Sequence, residues 1–288
     1  YRLTNVSVAA LTGGNFGGAP FASAIGRTIV GTPANDLVEG GWGDDVLHGR
    51  QADDVLSGNA GNDLLHGDGG NDVYRFARGD GQDRIAEYSE DFRQNGYGGN
   101  DAIEFAAGIA PADIVVSQQG TDLVLRISGT EDSLTISGML TDGDARVEQI
   151  RFADGTVWTY ADVVARSIAT AAIADGTVYG SQENETISGG TGNDVVHGRS
   201  GNDIISGGTG DDTLYGDGGD DVYRYARGDG QDRIFEYGQD WRRDGYGGND
   251  AIEYAAGITP ADVIVLQRDR DIILQISGSE DRITLVDA

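Results

Sequence analysis

The 288-residue sequence has no cysteine and no lysine; all 20 of its basic residues are arginine. Without cysteine, disulfides and thiolate metal sites are excluded. Proline is rare at 4 residues, and the 47 glycines show no every-third-residue period, which excludes collagen. No apolar run is long enough to span a membrane as a helix, and no signal-peptide pattern opens the chain. Positive charge is scarce: 48 acidic residues leave a net charge of −28. No basic stripe exists to neutralise phosphates, so nucleic acid is not an expected partner. Such an excess of one sign repels itself in a compact state unless counter-ions bind. No nucleophile elbow, zinc-protease motif or phosphate loop is present, and this stretch is not expected to be an enzyme. The chain starts at Tyr1 rather than Met, which suggests a processed protein or a piece of a longer one.

What is present is periodic. The segment Asp72-Val73-Tyr74-Arg75-Phe76 returns 149 residues later as Asp221-Val222-Tyr223-Arg224-Tyr225, and the match runs from Gly31/Gly180 to about Ile136/Leu285. Inside each copy lies a nine-residue period. Its units begin at Gly31, Gly40, Gly49, Gly58 and Gly67, and again at Gly180, Gly189, Gly198, Gly207 and Gly216. The sixth place is acidic throughout: Asp36, Asp45, Asp54, Asp63 and Asp72, then Glu185, Asp194, Asp203, Asp212 and Asp221. The eighth place is apolar or aromatic: Val38, Leu47, Leu56, Leu65 and Tyr74, then Ile187, Val196, Ile205, Leu214 and Tyr223. After a two-residue insertion the pattern returns as Asp83/Ile85 and Asp232/Ile234. Gly99-Asn100-Asp101-Ala102-Ile103 and Gly248-Asn249-Asp250-Ala251-Ile252 read as one further turn each.

This pattern resembles the G-G-x-G-x-D-x-U-x nonapeptide of RTX, or haemolysin-type calcium-binding, proteins. Ala34 and Ala52 depart from it at the fourth place, and Glu185 at the sixth. The stretch after each array resembles the haemolysin-type calcium-binding-related domain, through Arg78–Asp83, Gly98–Ile103, Gly108–Asp113, Leu123–Ile127 and Glu148–Thr156. The resemblance implies an all-β fold of two parallel β-roll solenoids, each followed by a β-rich flanking module. The expected division is an N-terminal segment 1–30, rolls 31–85 and 180–234, and flanking modules 86–179 and 235–288. It also implies a bacterial protein exported by a type I secretion machinery, secreted or held at the cell surface and folded outside by calcium. Such a chain would be part of a toxin, adhesin or surface protein, or the non-catalytic C-terminal region of a secreted hydrolase.

The calcium requirement can be rebuilt physically. Each unit pairs a very short strand with a Gly-rich turn, because glycine adopts the positive φ such turns need. Two units make one coil, and coils stack by strand pairing at roughly 4.8 Å. Sixth-place acids from alternate units then fall in register along one edge. Carboxylates at that spacing repel, and a Ca²⁺ between them at about 2.4 Å removes the repulsion, with turn carbonyls completing six to eight oxygens. The predicted ligands are Asp36, Asp45, Asp54, Asp63, Asp72, Asp83 and Asp101, then Glu185, Asp194, Asp203, Asp212, Asp221, Asp232 and Asp250. They imply about eight ions.

Strands are predicted at 112–118, 122–128 and 132–137, a hairpin turn at Asp154-Gly155, and a short amphipathic helix over 160–174. Alternation points seventh and ninth places outward. Ninth-place His48, His66 and His197 read as solvated ladder residues. Apolar seventh places (Leu37, Val55, Val73, Ile204, Val222) predict that one sheet face is covered by the flanking module or the other array. Acidic, aromatic segments from Glu87 to Tyr97 and from Glu236 to Tyr246, the latter holding Trp241, are candidates for a cell-surface or glycan ligand, or for loops folded over the roll ends.

Overall fold

The computed structural model describes residues 26–87, 99–141, 146–172, 176–235 and 248–287. Except for Glu87, the two acidic-aromatic segments lie outside these residues, as does most of the N-terminal segment.

Copy one contains β1 (Thr28–Val30), β2 (Leu37–Trp42), β3 (Val46–Gln51), β4 (Val55–Ala60), β5 (Leu64–Gly69), β6 (Val73–Phe76), β7 (Gln82–Ile85), β8 (Ala102–Phe105), β9 (Ile114–Gln119), β10 (Asp122–Ile127), β11 (Ser133–Ile136), β12 (Gln149–Arg151) and β13 (Val157–Thr159). Helix α1 (Tyr160–Ala171) follows. Copy two contains β14 (Thr177–Tyr179), β15 (Thr186–Thr191), β16 (Val195–His197), β17 (Ile204–Thr209), β18 (Thr213–Tyr215), β19 (Val222–Tyr225), β20 (Gln231–Phe235), β21 (Ala251–Tyr254), β22 (Val263–Arg268), β23 (Asp271–Ile276) and β24 (Arg282–Leu285).

The strands coil into parallel β-rolls. In copy one the chain alternates between two sheets, ordered β1-β3-β5-β7-β11-β10-β9 and β13-β12-β8-β6-β4-β2. Copy two repeats this as β14-β16-β18-β20-β24-β23-β22 and β15-β17-β19-β21. Register follows the nonapeptide: Val38 pairs with Leu56, Leu56 with Tyr74 and Tyr74 with Ile103. These eighth-place side chains are buried and form the core between the sheets. Fourth-place residues turn the chain back at positive φ, as at Gly43 (φ 93) and Gly192 (φ 103). Ala52 holds that place at φ 72, where its Cβ is strained.

Each roll runs straight into its flanking strands. β11 pairs in parallel with β7, and β12 with β8, so the flanking segment extends both sheets. Extending a sheet satisfies the row of N–H and C=O groups that an end strand would expose. The outer face is therefore not covered as the apolar seventh places suggested. Leu37 is 60% exposed, and Val55, Val73, Ile204 and Val222 are half-buried.

Helix α1 joins the copies. Thr159 caps it, accepting the Asp162 N–H while Asp162 accepts the Thr159 N–H. Its buried face, Val163, Val164 and Ile168, packs in a cluster that includes β9, and the helix also meets β13, β14 and β15. The Gln118 side chain on β9 donates to the Tyr179 carbonyl at 2.7 Å and accepts its N–H at 2.9 Å. The equivalent strand β22 has no such cover among the described residues: Val265 is 67% exposed where its counterpart Val116 is 2% exposed. Val116→Ala should therefore cost about 2 kcal/mol in calcium-saturated urea melts, and Val265→Ala less than about 0.5 kcal/mol. Equal costs would refute the helix contact.

Candidate metal centre

The predicted ligands assemble into four ladders, two per copy. One edge of the first roll carries Asp36, Asp54, Asp72 and Asp101, and the other Asp45, Asp63 and Asp83. The second roll carries Glu185, Asp203, Asp221 and Asp250 opposite Asp194, Asp212 and Asp232. Within a ladder each carboxylate except those of Asp36 and Glu185 accepts a backbone N–H of the coil before it. Asp36 N donates to Asp54 Oδ1 at 2.7 Å, Asp54 N to Asp72 Oδ1 at 2.8 Å, and Asp72 N to Asp101 Oδ1 at 2.7 Å. On the other edge, Asp45 N donates to Asp63 Oδ1 at 2.6 Å and Asp63 N to Asp83 Oδ1 at 2.9 Å. In copy two, Glu185 N, Asp194 N, Asp203 N, Asp212 N and Asp221 N donate in the same way to Asp203, Asp212, Asp221, Asp232 and Asp250.

The second carboxylate oxygen is left over. Oδ2 of Asp54, Asp63, Asp72, Asp83, Asp203 and Asp212 is buried and has no hydrogen-bond partner. In Asp54, Asp63, Asp72, Asp203 and Asp212 it faces the first-place glycine of its own turn, and at Gly49 and Gly198 the next coil's glycine carbonyl also arrives. A Cβ built on Gly198 would lie 2.7 Å from both Asp203 Oδ2 and Gly216 O; on Gly31 it would lie 3.0 Å from Asp36 Oδ2 and 2.6 Å from Gly49 O. Glycine keeps this cradle open, and two oxygen types converge there. Oxygen-only donors suit a hard cation such as Ca²⁺.

Fifth-place residues give an internal control that sequence reasoning missed. They also form ladders: Asn62 N donates to Asp44 Oδ1, Asn71 N to Asp53 Oδ1, Asn202 N to Asn184 Oδ1 and Asp220 N to Asn202 Oδ1. Here Asn and Asp interchange, because the bond needs one acceptor oxygen. The sixth place makes an equivalent bond yet never carries Asn. Its second oxygen, and its charge, therefore have another task.

Burial sets the electrostatics. With neighbouring acids adding to it and the accepted N–H opposing it, burial pushes Asp83, Asp203 and Asp232 up to about 8. Asp72 rises to about 7, and Asp54, Asp63, Asp101, Asp212 and Asp221 to about 6. The ladder ends differ. Asp36 accepts from the Thr32 hydroxyl at 2.8 Å, and Glu185 from Ser181 N at 3.0 Å and from the Ser181 hydroxyl.

Two acids were not singled out as ligands from sequence. Glu148 accepts the Asp101 N–H at 2.7 Å and so extends that ladder. Its signal was present, since Glu148-Gln149-Ile150 repeats the acid-x-apolar spacing. Glu87 is buried beside Asp72 and Asp101. The histidines depart from expectation: His48 and His66 are each 8% exposed, with rings stacked at 4.6 Å. Coil stacking places them face to face, and that contact, together with the Ala86 carbonyl 2.7 Å from His66 Nδ1, takes them out of water.

Family models match this architecture. The RTX calcium-binding nonapeptide repeat matches residues 28–56, 48–83, 179–212 and 197–232, and the haemolysin-type calcium binding protein related domain matches 122–162. The chain carries RTX calcium-binding nonapeptide repeats. RTX nonapeptide repeats bind calcium, are generally non-catalytic and are typical of secreted bacterial proteins. Among solved structures, a subunit of the mannuronan C5-epimerase of Azotobacter vinelandii is 25% identical, with a TM-score of 0.29 over 39% of this chain and 70% of its own. The extracellular lipase of Serratia marcescens is 16% identical, with a TM-score of 0.24 over 91% of this chain and 38% of its own. This RTX chain thus spans well under half the length of that lipase. No curated protein sequence matches it. Among the described residues, no helix is long and apolar enough to cross a membrane.

Proposed function

We propose that the fourteen ladder acids hold calcium ions, about eight in all, and that these ions switch the two rolls from unfolded to folded. The observation that carries this reading is the buried, unpartnered Oδ2 of interior acids such as Asp54 and Asp203, aimed at a glycine cradle that a neighbouring coil's carbonyl also enters at Gly49 and Gly198. Each ion takes carboxylate and carbonyl oxygens from stacked turns and so ties successive coils together. The chemistry supplied by the ion is charge neutralisation and cross-linking, with no reaction catalysed. A chain of this kind stays unfolded where calcium is scarce and folds where it is abundant, which suits export by a type I machinery and a role outside a bacterial cell as part of a toxin, adhesin or surface protein.

Flow dialysis tests the binding. The whole chain should take up several calcium ions, and excess Mg²⁺ should not displace them, because Mg²⁺ demands a tight octahedron and keeps its waters. Uptake of one ion or none, or full displacement by Mg²⁺, would refute the proposal.

A further inference from the structure

The last turn of the first roll breaks the pattern at one position. Strand register sets Leu65 opposite Ile85, which places Glu87 over Gly67, where a first-place glycine would otherwise stack. The backbone confirms it: Asp68 N donates to the Glu87 carbonyl at 2.8 Å. At Gly31, Gly40 and Gly49 the cradle receives the following glycine's carbonyl; at Gly67 the nearest atoms are instead Asp72 Oδ2 and the Tyr74 hydroxyl. Glu87 brings a carboxylate to this spot. Asp72, Glu87 and Asp101 each offer an oxygen, and the three oxygens lie within 4.8 Å of one another. All three residues are at most 2% exposed. Glu87 Oε1 and Asp72 Oδ2 have no hydrogen-bond partner.

We propose that Asp72, Glu87 and Asp101 form a three-carboxylate calcium site that closes the first roll, chemically distinct from the carbonyl-rich sites of the repeats. It rests on the reading of the rolls as calcium-dependent. Three buried carboxylates left bare would repel at this distance, and no arginine or histidine pairs with Glu87 among the described contacts. A hard cation satisfies all three, and oxygen donors alone favour Ca²⁺ over transition metals. More ligand charge raises calcium affinity, so this site fills before the repeat turns. The Tyr74 ring, whose hydroxyl lies against Glu87, makes it a site that a lanthanide would report by sensitised emission.

The test compares the full chain with Glu87→Gln, a change that keeps the shape and removes the charge. Flow dialysis with Ca²⁺ should show one ion fewer in E87Q, missing from the tightest class, while circular dichroism in saturating calcium matches the parent. The parent should show tyrosine-sensitised Tb³⁺ emission that falls in both E87Q and Tyr74→Phe. Unchanged ion count and affinity in E87Q would overturn the site, as expected if Glu87 were instead a neutral acid bonded to its neighbours. If E87Q does not fold, Tyr74→Phe decides, and unchanged Tb³⁺ emission overturns the site. A parent chain that binds no calcium would instead overturn the reading of the rolls themselves.

Discussion

Chelated at pH 8, the protein is expected to lose its β-sheet circular dichroism and to regain it in one cooperative step as Ca²⁺ is returned. The magnitudes favour this outcome. Each ion present at a hundredfold excess over its dissociation constant stabilises the folded state by about 2.7 kcal/mol. Four filled sites add about 11 kcal/mol, as much as the whole net stability of a typical domain. The metal-free fold bears the opposite load, because Asp72, Asp83, Asp203 and Asp232 resist ionisation until about pH 7 or 8. Unfolded aspartate ionises near pH 3.9. Between those values the folded chain binds more protons than the unfolded one, so metal-free stability falls as pH rises through that window. Acid should therefore substitute in part for calcium: at about pH 5 the chelated chain should keep more β signal than at pH 8. Calcium affinity should move the other way, rising with pH as fewer protons must be displaced. A full β spectrum in excess chelator at pH 8, or a metal-free fold that strengthens with pH, would contradict this account.

Asp203→Asn should raise the calcium midpoint for folding roughly a hundredfold, equivalent to about 3 kcal/mol. Asparagine keeps an acceptor for the Glu185 N–H, which Asp203 Oδ1 now binds at 2.8 Å. It replaces the inward Oδ2, the atom with no partner, by an amide that cannot ligate a cation as an anion does. In chelator the sign should reverse. Removing a carboxylate that burial holds at about 8 relieves the metal-free fold, so the variant should be less unfolded than the parent at pH 8. A merely structural aspartate would not show these opposite effects. Asn202→Asp, one residue earlier, should leave the midpoint within about twofold, since exposed surface changes stay within about 0.5 kcal/mol. Glu185→Gln should fall between the two, because Ser181 already bonds that carboxylate. Calcium titrations followed by circular dichroism would rank the three, and equal midpoints for Asp203→Asn and Asn202→Asp would rule out a metal role for the sixth place.

Much of this architecture can be read from spacing because the roll is nearly one-dimensional. A unit touches mainly the units before and after it, so residues 18 apart in sequence become neighbours, as Asp36 and Asp54 do. Insertions disturb this little: the ladder steps 20 residues from Asp63 to Asp83 and 29 from Asp72 to Asp101 without losing its hydrogen bond. The strands of the flanking segment and helix α1 also follow local alternation and capping. Spacing is silent wherever a residue leaves the periodic frame. Glu87 follows a two-residue insertion, so only the strand register shows that it stacks on Gly67. Ninth-place His48 and His66 point outward by alternation, yet ring stacking between coils buries them.

The sequence by itself determined the repeat, its acid and glycine places, the parallel roll and the expectation of bound calcium, because each follows from side-chain chemistry repeated at a constant period. Tertiary structure decided how each carboxylate is divided. One oxygen is held by a backbone N–H in the adjacent coil, which leaves the other to face the glycine cradle. It also decided that the flanking strands extend the sheets instead of covering them, and that Val116 lies under a helix while Val265 does not. These outcomes depend on which chain ends, insertions and helices meet in space. A nine-residue period carries no information about such non-repeating contacts.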